Sequence, residues 1–117
     1  MRYRALAVAL CVLGAASAAA QQKAPEEKLP EFDQKFLSNP GNIEAGRMVW
    51  EGQCRHCHGA AAYPGKAPKL NPGQLDPEFI FHRVTYGFGK MPAWKDVFSL
   101  KERMAVVAYV KSGDFSP

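Results

Sequence analysis

Apolar and polar positions along most of this chain recur at helical spacing, and no stretch of useful length alternates as a strand would. Gly46, Trp50 and Cys54 stand at i, i+4 and i+8, which puts a small residue, a large aromatic and a cysteine on one helix face. Asn42, after a Pro40-Gly41 turn, is placed to cap that helix, which should run to about Gln53, with Glu44 where the helix dipole favours a negative charge. Asp76-Pro77-Glu78 opens a second helix, proline taking the first helical position, and Phe79 to Tyr86 continue it until Gly87 supplies the stop. Ser99-Leu100-Lys101-Glu102 is a capping box for a third, ending near Ser112 with Gly113 just beyond. Met104 to Val110 is apolar almost all round, so this last helix should be largely buried. The stretches Gly59 to Gly73 and Gly87 to Val97 are rich in Gly and Pro and read as irregular loops. The pattern predicts an all-α chain of about three main helices, with no internal repeat.

The N-terminal end has a different character. Met1 to Arg4 is basic, Ala5 to Ala16 apolar and Ser17 to Ala20 small, the layout of a secretory signal peptide cleaved near Ala20. The apolar run is too short to remain as a comfortable membrane anchor. Cys11 within it follows Leu10, where lipid attachment would want a small residue, so lipidation is the lesser reading. Removing 20 of the 117 residues leaves 97, enough for one domain, and the loss of Arg2 and Arg4 takes the formal charge from +4 to +2. Lys and Arg are scattered from Lys23 to Lys111 without a basic face, which argues against a nucleic-acid partner. Residues 21–41, rich in Pro, Glu, Lys and Gln, read as an extended or partly ordered arm before a domain over 42–117; Leu29, Phe32, Phe36 and Leu37 either lie on the domain surface or belong to a mobile terminus.

Chemistry concentrates at Cys54-Arg55-His56-Cys57-His58, a C-x-x-C-H sequence of the kind that attaches c-type haem. On a helix-like turn, positions 54, 57 and 58 leave from one face, so two thioethers would hold one porphyrin edge while the His58 imidazole reaches the iron. Two other readings compete. A thioredoxin-like pair expects a βαβ context that this strand-free pattern lacks, and a structural zinc site wants four ligands where only His56 and His82 remain to supply more. Both of those histidines read as surface residues. A sixth iron ligand would come from Met48, Met91 or Met104. Met48 and Met104 lie in helices and read as core packing, whereas Met91 lies in the Gly- and Pro-bearing loop that can bring a thioether to the other haem face.

From about Asn42 to Gly113 the chain resembles the class I cytochrome c family. Cys54 to Gly59 carries its attachment motif, and Gly46, Trp50 and Tyr109 resemble the residues by which its first and last helices cross. Pro68-Lys69-Leu70 resembles the segment beneath the proximal histidine; the resemblance implies that the Pro68 carbonyl accepts from the His58 ring N–H and that Leu70 covers the haem. Gly89-Lys90-Met91-Pro92-Ala93-Trp94 resembles the distal loop of short bacterial members, with Met91 at the ligand position. The implied molecule is a compact bundle around one haem c, cofactor-bound through Cys54, Cys57, His58, Pro68, Leu70 and Met91. It would be a periplasmic, monomeric one-electron carrier rather than an enzyme, with no stable membrane insertion. Its redox partners would be a periplasmic dehydrogenase, a quinol-oxidising complex or a terminal oxidase. A haem sensor or enzyme with an open sixth position, or a dedicated haem subunit of a quinoprotein dehydrogenase or oxidase, are the alternatives. Lys90, Lys95 and Asp96 read as rim charges around the distal loop.

Overall fold

The structure is a computed structural model that describes residues 27–59 and 66–116. The expected signal peptide, Cys11 and the start of the arm lie outside those residues. In chain order the elements are α1 (Gln34–Leu37), α2 (Pro40–Val49), a π turn (Trp50–Cys54), α3 (Arg55–His58), a 3-10 turn (Pro72–Gln74), α4 (Pro77–Tyr86) and α5 (Leu100–Lys111). Among the described residues there is no β-strand, and no helix is long and apolar enough to cross a membrane.

Helix α5 is the spine. Ala105 to Val110 are all buried, as their apolar run predicted, and α2, α4 and α1 pack round them. Its start carries both halves of the capping box: the Glu102 N–H donates to Ser99 Oγ (3.2 Å), and the Ser99 N–H donates to the Glu102 carboxylate (2.8 Å). Its end falls where expected, at Lys111 with Ser112 and Gly113 beyond. Ser112 caps it, donating both N–H and hydroxyl to the Tyr109 carbonyl, and Gly113 takes no left-handed conformation.

Helix α2 starts earlier than the pattern suggested. Asn39 is the cap, its side-chain oxygen accepting from the Asn42 N–H (3.1 Å), and Pro40 takes the first helical position instead of forming a turn. The Asn42 amide is spent elsewhere, donating to the Phe36 carbonyl (3.1 Å), which ties α1 to α2. The crossing of α2 over α5 depends on Gly46: a Cβ there would run into the Ala105 carbonyl oxygen and lie 2.9 Å from Tyr109 Cβ. Trp50, buried one turn later, packs on Tyr109 (ring centroids 6.2 Å apart) and edge-on against Phe115 (4.8 Å). Met48, expected in the core, lies instead on the outer face of α2 with 66% of its surface exposed.

The described part of the arm, from Glu27, packs on the domain. Asp33 caps α1, accepting from the Phe36 N–H (2.7 Å), Leu37 is buried, and Phe32 packs on the buried Phe81 (5.8 Å). Phe32, Phe36 and Leu37 therefore join the core, while Leu29 stays on the surface with 47% of its area exposed.

Candidate functional site

Between α3, α4, α5 and the two loops lies a cavity of about 570 Å³. Its wall is largely apolar, with Leu70, Leu75, Ile80, Val84, Val106 and Val110 prominent in it. Cofactor clefts usually fall between ~300 and 1,000 Å³ and are lined in this way. Every residue singled out from the sequence borders it: Cys54, Cys57, His58, Pro68, Leu70 and Met91.

The attachment motif reaches the cavity through an irregularity that the spacing did not announce. In an α-helix each residue advances about 100°, so positions eight apart drift by roughly 80°. The π turn from Trp50 to Cys54 advances less per residue and takes back part of that drift. Cys54 thus stays near the face that carries Gly46 and Trp50, and Trp50 and Cys54 both border the cavity. Helix α3 then carries Cys57 and His58 as its last two residues and closes at the buried Gly59, whose N–H donates to the Arg55 carbonyl (2.8 Å).

The two cysteines are free thiols, not a disulfide. Burial pushes the Cys54 thiol up to about 11, so at neutral pH it is protonated and inert as a nucleophile. Burial also holds His58 below the usual histidine range, keeping its ring neutral at pH 7, the form that ligates a metal. The hydrogen bond expected from this ring to Pro68 is not formed: Nδ1 is buried with no partner. The Pro68 carbonyl is still near enough to favour the protonated ring, a weaker influence than burial. Trp50 Nε1, on a ring 5.9 Å from that of His58, is likewise buried without a partner. Orphaned N–H groups of this kind are costly and uncommon in a finished core, and both belong to residues that line the cavity.

The Met91 loop is fixed at both ends. Phe88 and Met91 exchange backbone hydrogen bonds of 3.0 and 2.9 Å, closing a tight turn through Gly89, which sits at φ 56°. Gly87, at φ 70°, lies so close to the Met91 carbonyl that a Cβ would collide with it. Beyond the turn, the Trp94 N–H donates to the Val84 carbonyl (3.0 Å) and the Lys95 N–H to that of Thr85 (3.2 Å), so the loop doubles back on the end of α4. Across the cavity, Lys111 Nζ donates to the carbonyls of Pro72 (2.6 Å) and Leu75 (2.8 Å), anchoring the other loop to α5.

Three lining residues went unread in the sequence. Arg83 places its guanidinium 3.9 Å from the Phe88 ring centroid and 4.9 Å from that of Phe79, a cation between two aromatics at the rim. The i, i+4 spacing of Phe79 and Arg83 on α4 was the available signal, and the loop fold that brings Phe88 over was not. His56 and His82 are exposed, as expected, His56 Nε2 lying 3.0 Å from the Gly52 carbonyl and His82 against the Tyr86 ring.

These residues fit a covalently held porphyrin. Two thiols and a neutral imidazole project from one short helical segment, the wall is apolar, and the cationic Arg83, Lys66 and Lys90 border it and could compensate the carboxylates of such a group. Known proteins agree. Residues 41–110 match the family model described as cytochrome c oxidase, cbb3-type, subunit III. Cytochrome c6 of Bryopsis maxima is 38% identical over 79 residues, a match covering 60% of this chain and 90% of that protein. With the family model spanning more than half of the sequence, the chain belongs to the class I c-type cytochromes, all-helical electron carriers, and holds haem c through Cys54 and Cys57.

Proposed function

We propose that this cytochrome is a periplasmic one-electron shuttle whose iron is ligated by His58 and Met91. The observation that carries the reading is the placement of Met91: of Met48, Met91 and Met104, it alone borders the cavity that also holds Cys54, Cys57 and His58. Haem, when bound, supplies the Fe(III)/Fe(II) couple. The protein's own groups do the rest. Cys54 and Cys57 would hold the porphyrin covalently, neutral His58 would offer a ring nitrogen, and the Phe88–Met91 turn would offer the thioether of Met91. Apolar Leu70, Ile80, Val84 and Val106 exclude water, which favours the oxidation state of lower net charge. With His58 and Met91 both held for the iron, electron transfer would require little rearrangement of the protein.

Cleavage near Ala20 would deliver the chain to the periplasm, where a dehydrogenase or quinol-oxidising complex would reduce it and a terminal acceptor oxidise it. The rim formed by Phe79, Arg83 and Phe88, with Phe88 68% exposed, gives such partners an approach to the haem edge. A dedicated haem subunit is the second reading, favoured by the family model's description as an oxidase subunit.

Absorption spectra of the periplasmically expressed protein, oxidised and reduced, beside a Met91→Ala variant, test the ligation. The weak oxidised sulfur-to-iron band in the red is expected in the native protein and absent from the variant. An unchanged variant, or native protein that readily binds carbon monoxide, would take Met91 off the iron and point to sensing or catalysis. Recovery of the native protein in a lasting complex with an oxidase would favour the subunit over the shuttle.

A further inference from the structure

Glu27 meets Arg103 across 76 positions of sequence, and the pair sits at a junction of the distal loop. Arg103 is 3% exposed and spends its guanidinium on three elements at once. Nε donates to the Phe98 carbonyl (3.1 Å) at the end of the loop, Nη1 to the Thr85 hydroxyl (2.9 Å) at the end of α4, and Nη1 and Nη2 to the Glu27 carboxylate (3.1 Å). Thr85 in turn accepts the Lys95 N–H through its carbonyl, and Phe98 stacks on Trp94 with ring centroids 5.3 Å apart. The segment from Trp94 to Phe98 is therefore held at both ends by groups that Arg103 touches. Phe32, packed on Phe81, continues the hold of the N-terminal segment, and the Arg103 guanidinium lies 5.3 Å from that same Phe81 ring.

We propose that residues 27–37 form a strap, latched by Glu27 on Arg103, that keeps the second half of the Met91 loop in place. Glu27 and Arg103 are then positioning residues for Met91, an extension that rests on the ligation proposed above. The physical basis is the buried charge. With Glu27 present, the guanidinium is neutralised where it lies and its remaining donors are free to hold Thr85 and Phe98. Without Glu27, Arg103 is left as an uncompensated buried cation, which is strongly unfavourable. It relieves that by turning toward water and giving up its loop contacts.

The test uses the haem-loaded protein and its Glu27→Gln variant, which keeps the shape of the side chain. Amide hydrogen exchange at Trp94 and Lys95 should quicken about tenfold, the scale of a lost charge-assisted hydrogen bond, while amides of the α2–α5 crossing keep their native rates. In denaturant, the red sulfur-to-iron band of the variant should disappear before helical ellipticity does. Unchanged exchange at Trp94 and Lys95, or an equal rise throughout the domain, overturns the strap. Met91→Ala separates the two ideas: if that variant keeps the band, the ligand assignment fails, while the exchange result for the loop stands by itself.

Discussion

Gly46 shows how much one missing carbon can decide. Its Cα lies where α2 crosses α5, and Gly46→Ala would drive a methyl into the Ala105 carbonyl oxygen. Backbone on both sides prevents an easy shift, so the variant should lose about 3 kcal/mol, at the upper end of ordinary overpacking, and yield little folded haem protein. Thermal melts of purified protein measure it. The small residue was legible in the sequence because its spacing to Trp50 and Cys54 put it on the face of a helix that had to pack. Met48 was misjudged for the opposite reason: an apolar side chain in a helix was assigned inward, but the register set by Gly46 turns position 48 to solvent. Asn42 shows a third kind of difference. A good capping residue lay where a cap was expected, yet Asn39 with Pro40 behind it begins the helix sooner, and the Asn42 side chain serves α1 instead.

Elements whose boundaries are written in local chemistry were the most readable. The Ser99–Glu102 box, the Asp76-Pro77 start and the Gly87 stop all stand where the sequence puts them, because a cap is decided by residues within one turn of each other. The same locality gives a pH dependence. Hydrogen bonds from the Ser99 N–H and hydroxyl hold the Glu102 carboxyl below its usual range. The stabilisation is therefore complete above the unfolded carboxylate pKa of about 4.3 and disappears as pH falls through the lower folded value. Ser99→Ala should reduce Tm by a few degrees at pH 7, and that deficit should shrink toward pH 3, as calorimetry across the range will show. The π turn and the strap had no comparable local mark. One is a compromise between two packing surfaces, and the other joins positions 27 and 103, a pairing that no window along the chain contains.

At the scale of the molecule, the cavity of about 570 Å³ is bordered by much of the core, including Trp50, Ile80, Val84, Val106 and Val110. A core built around so large a group depends on it, since an empty apolar cavity costs stability in proportion to its volume. The Cys54→Ser, Cys57→Ser double variant should fail to retain haem through acid–acetone extraction and should lose most of its helical ellipticity. A variant that remained fully helical without haem would show that α2, α4 and α5 suffice. All six residues named from the sequence border the cavity, because attachment motif, proximal segment and distal loop each form a short contiguous string. Arg83, Phe79 and Phe88 went unread, because only the tertiary fold brings the rim together. The π turn also has a bearing on how such a chain tolerates change. It works as a vernier between two fixed surfaces, one set by α5 and the other by the haem plane. Winding the same residues from Trp50 to Cys54 as a regular α-helix would, by the usual standards of helix formation, improve the helix. It would also swing both thiols about a sixth of a turn off target, since an α-helical residue advances roughly 100° and a π residue less. Here local regularity and correct aim are opposed, and the chain has kept the aim.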